Sequence, residues 1–176
     1  LLYVVNSGIA LEVDAISNPS YPLAESETKS LLKLYMNDPG ILSSIFYGDN
    51  IKAILNDEKS INLGAIYETA VACQLRANGY DLFYYDNKSK GEVDFLIDDT
   101  KSLSVIPIEV KSGRDFMVHS SLNTFTTNED YGVKKAYVLS NSGTVLKKGI
   151  ITIIPIYWTM FIQKQSFSDE ELIIPW

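Results

Sequence analysis

Residues Gly91 to Arg114 read GEVDFLIDDTKSLSVIPIEVKSGR, two apolar runs joined by the polar link Asp98-Asp99-Thr100-Lys101-Ser102. Each run is the length of a strand, yet each carries acids where a plain core strand has none: Asp94 in the first, Glu109 in the second, with Lys111 two residues on. If the link is a hairpin turn, residues whose numbers sum to about 203 stand opposite one another, which sets Asp94 beside Glu109. Side chains alternate along a strand, so Glu92, Asp94, Glu109 and Lys111 are expected on one face. Val93, Phe95, Ile97, Ile106, Ile108 and Val110 are expected on the other, seating the hairpin on the core.

Working outward, Leu63, Ile66, Tyr67, Ala70, Val71, Gln74 and Leu75 recur at helical spacing, predicting a helix over 62–78 stopped by Gly79, with Glu68 at the border of its apolar face. A strand is expected over Asp81–Asp86 and a turn over Asn87–Lys90. Downstream, a helix is expected over Asp115–Asn128, with a weak end where Thr124, Thr126 and Thr127 gather. Strands are expected over Lys135–Ser140 and Gly149–Ile156, and a closing helix over Tyr157–Lys164.

Upstream, the first eight residues read as a helix tail. Ile9, Leu11 and Val13 alternate with Ala10, Glu12 and Asp14, as in a strand with one wet face. A loop over Asn18–Pro22, a strand over Leu31–Met36, the turn Asn37-Asp38-Pro39-Gly40, a short helix over Ile41–Tyr47 and a polar connection over Asp57–Ser60 follow. Residues 1–60 therefore read as a lead-in segment, the remainder of an upstream region, and 61–176 as an α/β domain. The chain begins Leu-Leu-Tyr-Val-Val, which reads as a piece of a longer protein.

The composition of the 176 residues, 46% hydrophobic and 21% charged, is that of a globular protein. The formal charge of −7 argues against coating nucleic acid by bulk electrostatics, since non-specific affinity comes from clustered Lys and Arg. Residues 81–120 hold eight acids against five bases, so the hairpin lies in acidic surroundings. The single cysteine, Cys73, fits a reducing cytoplasm and reads as a packing residue. No apolar run has the roughly 18 residues needed to span a bilayer. His119, the single histidine, lacks a metal-ligand partner at useful spacing. Phe83, Tyr84 and Tyr85 do not form a base-stacking platform, because consecutive strand residues cannot all share one face.

Adjacent strands lie about 4.8 Å apart, so opposed carboxylates can converge on one cation. Mg²⁺ takes oxygen ligands and keeps several waters, so two acids and a main-chain carbonyl such as that of Val110 suffice. Lys111 is placed to orient a water or hold developing charge, and Glu68 to add an acid from the preceding helix. A solvated sheet face with a surface ion pair explains the same residue types without any chemistry.

The order helix acid, strand Asp, then Glu-x-Lys resembles the PD-(D/E)XK nuclease-like superfamily, also called the restriction-endonuclease-like fold. The segments GAIYETAVACQLRANG, LFYYDNKSKGEVDFLI and IPIEVKSG, with KLYMNDPGIL upstream, are similar to an uncharacterised domain family found C-terminal to AAA-type ATPase modules. The resemblance covers most of residues 30–140. It implies an α/β fold with a mixed central sheet flanked by helices, whose core runs helix, three strands, helix, strand. It implies that Asp94 and Glu109 hold Mg²⁺ or Mn²⁺, to which the strand geometry adds the Val110 carbonyl, that Lys111 is the catalytic lysine and that Glu68 is an auxiliary acid. Val93 stands where the superfamily has proline. The implied function is metal-dependent phosphodiester hydrolysis of nucleic acid, in the cytoplasm and beside an upstream ATPase region. No Gly-x-x-x-x-Gly-Lys-Ser/Thr loop is present, so ATP is expected to act only through that region. A non-catalytic module that binds a partner or regulates the ATPase is the alternative, a dimerisation domain the third, and the oligomeric state is left open.

Overall fold

The computed structural model describes residues 1–48, 50, 52, 54, 56, 63–113 and 116–164. The connection expected over Asp57–Ser60 and the step Arg114-Asp115 lie outside the described residues. The rest forms a mixed α/β fold around one eight-stranded sheet. Its strands are β1 (Ala10–Ile16), β2 (Thr28–Met36), β3 (Phe83–Asn87), β4 (Gly91–Asp99), β5 (Ser104–Lys111), β6 (Ala136–Ser140), β7 (Leu146–Lys148) and β8 (Ile151–Pro155). The spatial order is β2-β1-β3-β4-β5-β6-β8-β7. The helices include α1 (Leu2–Asn6), α2 (Pro39–Tyr47), α3 (Gly64–Ala77) and α4 (Ser120–Thr126). From α3 onward the chain runs helix, three strands, helix, strand.

Period decides which helix covers which face. In α3, Val71, Ala72 and Leu75 are buried on one side of the helix and pack with Val13, Phe95, Ile97, Ile106 and Ile108. On the opposite side of the sheet, Leu122 and Phe125 of α4 join Tyr85, Leu96, Val105 and Val138. Leu122 and Phe125 are fully buried, each contributing roughly 1.5–3 kcal/mol of apolar burial. Phe125 stacks edge-on against Tyr85 at 4.8 Å and tilted against Tyr131 at 4.8 Å, and the two phenols share a hydrogen bond of 3.2 Å. Tyr84 and Tyr85 thus enter different cores, as alternation requires.

The central hairpin has the expected register: Phe95 faces Ile108, Ile97 faces Ile106 and Asp99 faces Ser104, each pair summing to 203. The turn is shorter than its polar composition suggests, because Asp98 and Asp99 remain in β4. They stay there because each has partners. Asp98 accepts the Leu23 N–H at 3.0 Å, and Asp99 accepts the Ser102 hydroxyl and pairs with Lys135 at 3.0 Å.

The expected division of faces needs a correction. Phe95, Ile97, Ile106, Ile108 and Val110 do share the α3 core, but Val93 belongs to the α4 core with Leu96 and Val105. A β-bulge is the cause. Against β3, Phe83 pairs with Leu96 and Tyr85 with Val93, so the single residue Tyr84 stands against two, Asp94 and Phe95. The extra residue reverses the alternation, so Glu92 and Asp94, which flank Val93, turn to the α3 side, whereas Glu109, in register with Val138 of the α4 core, lies with Lys111 on the other side; the four charged residues expected on one face are divided between two.

Smaller differences have local reasons. The Asp38-Pro39 step starts a helix: Asp38 accepts the N–H groups of Gly40 at 2.7 Å and Ile41 at 3.0 Å, and Pro39 occupies the first turn. Ile9 lies outside β1 and is exposed, whereas Ala10 is buried. The helix expected over Asp115–Asn128 is confined to Ser120–Thr126, and the closing helix is a 3-10 turn, Ile156–Phe161. Residues 149–156 hold a hairpin arm: β8 pairs antiparallel with β7 across Gly149, whose φ of +61° suits the turn. No helix among the described residues is long and apolar enough to cross a membrane.

Candidate functional site

Asp94 owes its placement to the bulge. Beyond the Phe95–Ile108 pair the β4–β5 ladder ends, and the Asp94 side chain takes over where the next rung would be, its Oδ2 accepting the Val110 N–H at 2.7 Å. The residue is half-buried overall, but its carboxylate is turned into the sheet. Burial, then repulsion from Glu109, then from Glu68, pushes its pKa up to about 7, against the opposing pull of the Val110 N–H and Lys33.

Glu109 sits on β5 next to Val110 and is 7% exposed. Its Oε1 pairs with Lys111 Nζ at 2.7 Å, while its Oε2 is buried and has no hydrogen-bond partner among the described residues. Lys111 is about a third exposed, so this pair reaches solvent through the lysine only. A buried carboxylate oxygen without a donor is costly and calls for a ligand in the free position.

Glu68 approaches from α3. The Tyr35 hydroxyl donates to its Oε2 at 2.9 Å, and burial followed by the Glu68 charge pushes the Tyr35 phenol well above its ordinary range, so it remains a donor. Beside Glu68 and Tyr35 opens an apolar depression of about 440 Å³ whose wall includes Leu34, Met36, Phe46 and Ala65. Lys33, two residues before Tyr35 on β2, pairs with Glu92 at 2.5 Å and lies 4.7 Å from the centre of the Tyr84 ring. Burial alone would lower the Lys33 pKa, but the Glu92 bond and the charges of Glu92, Asp94 and Glu68 outweigh it and raise the value.

The structure therefore brings Asp94, Glu109, Val110 and Lys111 together at the open end of one hairpin, with Glu68 close enough for its charge to reach Asp94. It does not gather the three acids into a cage: among the described residues no group of three His, Cys, Asp or Glu side chains is disposed to hold a metal ion. Two carboxylates with water are nevertheless a sufficient oxygen set for Mg²⁺ or Mn²⁺, and the unpartnered Glu109 oxygen fits such an ion. Lys33 and Tyr35 are the site residues that reading the sequence missed. Their signal was a pair of polar side chains two residues apart, Lys33 and Tyr35, on a strand whose leucines are exposed. His119 is buried, its Nδ1 3.3 Å from the Phe116 carbonyl, and takes no part. Cys73 packs half-buried, its thiol directed at the Met36 carbonyl.

A family profile described as Domain of unknown function (DUF4143) matches residues 63–159, more than half of the chain. The chain belongs to that family. Comparison with curated proteins and with solved structures gave no match. The matched segment contains Glu68, Asp94, Glu109, Val110 and Lys111, whereas Lys33 and Tyr35 precede it.

Proposed function

We propose that this member of the DUF4143 family is a nuclease-like domain that hydrolyses phosphodiester bonds of nucleic acid with Mg²⁺ or Mn²⁺. The observation that carries the reading is the buried, unpartnered Glu109 Oε2, on a residue next to Val110, whose N–H holds the Asp94 carboxylate. The run helix, three strands, helix, strand and the resemblance to the restriction-endonuclease-like fold support it. In this reading Asp94, Glu109 and the Val110 main-chain carbonyl hold the cation, which supplies polarisation of a phosphoryl oxygen and a lowered pKa for a bound water.

The protein's own groups do the rest. Lys111, held at 2.7 Å from Glu109, presents its ammonium where negative charge grows on the phosphodiester oxygens. Glu68 is a carboxylate on the helix side, suited to orient a water or take its proton. Asp94 is kept in place by the Val110 N–H instead of by a flexible loop, which preserves the geometry between turnovers. The net charge of −7 gives the chain little bulk attraction for nucleic acid, so an upstream AAA-type ATPase region is the proposed partner that delivers substrate.

The test is cleavage of single- and double-stranded DNA and RNA with Mg²⁺, Mn²⁺ or EDTA. Metal-dependent cleavage is expected to disappear in D94A and in K111M, and to be retained in part by K111R, which keeps the charge beside Glu109. Because K111M strips the buried Glu109 of its counter-charge, activity is compared only below the unfolding temperature of each protein. Cleavage that survives both D94A and K111M overturns the reading. No cleavage of any substrate, together with no cation binding, favours the non-catalytic module that regulates the ATPase.

A further inference from the structure

We propose that Tyr35 is a positioning residue that acts through Glu68, so that β2, a strand ahead of the family segment, completes the cation site. The inference rests on the cation reading above and adds to it a residue outside the matched segment. Tyr35 is 7% exposed, and its ring packs against that of Phe95 with centroids 5.5 Å apart. Phe95 is the bulge neighbour of Asp94. The same ring therefore rests on the strand that carries Asp94 while its hydroxyl, at 2.9 Å, holds Oε2 of Glu68 on α3.

This connection replaces freedom with a fixed offset. Glu68 lies at the border of the buried face of α3, where Thr69, Val71, Ala72 and Leu75 pack but its own long side chain has several rotamers to choose from. One donor on Oε2 selects among them and leaves Oε1 for a water at the cation. Hydrogen-bond partners that orient the groups around a metal in this way are typically worth about 10–100-fold in affinity or activity. Tyr35 touches neither substrate nor cation, and its contribution passes through Glu68 alone.

The experiment is titration of Mn²⁺ into the cation-free full chain by calorimetry, for wild type, Y35F, E68Q and the Y35F/E68Q double variant, with near-ultraviolet circular dichroism as the check on packing. Y35F is expected to weaken Mn²⁺ binding about tenfold, and the double variant to bind no more weakly than E68Q, because the amide of E68Q, although its oxygen still accepts the Tyr35 hydroxyl, brings no charge to the cation. Wild-type binding with an unchanged or tighter Kd in Y35F overturns the role of Tyr35 and leaves the cation reading standing. Independent, multiplying losses in the double variant overturn it as well, since they place Tyr35 on a route that bypasses Glu68. Absence of Mn²⁺ binding by the wild type overturns the cation reading and this inference with it.

Discussion

Asp94 carries two burdens that ordinarily exclude each other, completing a backbone ladder by accepting the Val110 N–H and facing the charges of Glu109 and Glu68. With a folded-state pKa near 7 against an ordinary value of 3.8, Asp94 in the folded protein holds a proton that the unfolded chain has already released. The folded state therefore binds more protons between these values, and stability must fall as pH rises through that interval. In EDTA-treated protein, the unfolding free energy of wild type relative to D94N is expected to decline from about pH 4 to about pH 7, by an amount on the order of a few kcal/mol. Denaturant titrations at a series of pH values measure it. A flat difference across the interval contradicts the crowded-carboxylate description. At this scale the sequence showed the acids and the lysine plainly, since charge inside an apolar run stands out. It concealed Tyr35, because a tyrosine in a strand is ordinary until its hydroxyl is seen on Glu68.

Among the elements, β4 depends most on a single backbone condition. Gly91 opens the strand with φ at +91°, and a Cβ there would come 2.5 Å from Ser121 Oγ and 3.1 Å from Ser121 Cβ, at the start of α4. G91A is expected to cost roughly 1–3 kcal/mol, lowering Tm by about 3–10 °C. S121A in the same chain should recover the steric part only, because the left-handed backbone remains unfavourable for alanine. Full recovery by S121A, or no loss at all, shows that the backbone of β4 is free to relax there. The hairpin register was legible because the two apolar runs and the polar link leave one consistent pairing. The bulge was not, since Val93, Phe95 and Leu96 are all apolar and a strand buried on both faces loses the alternation that would reveal an extra residue. The Asp38-Pro39 step shows a different limit: the same two residues suit a turn and a capped helix, and the donors that follow decide.

For the whole molecule, the two cores explain why the sheet can present charge at one place. α3 and α4 cover opposite faces, so the β4–β5 hairpin is packed from both sides until its ladder ends, and the carboxylates appear at that end. β1 pairs in parallel with β3 and carries β2 beside it, so residues ahead of the family segment lie in the same sheet and reach the site through Lys33 and Tyr35. The mixed α/β class and the order of its elements from α3 to β6 were legible from periodicity. The reach of β2 was not, because Leu31, Leu32 and Leu34 are exposed on an edge strand and pattern alone assigns such residues to a core. Whether Asp94 and Glu109 form a cation site is decided by anomalous diffraction from crystals soaked in Mn²⁺. A Mn²⁺ peak is expected between the Asp94 and Glu109 carboxylates in the wild type and none in D94N. Crystals that show no peak there at a saturating soak contradict the cation site.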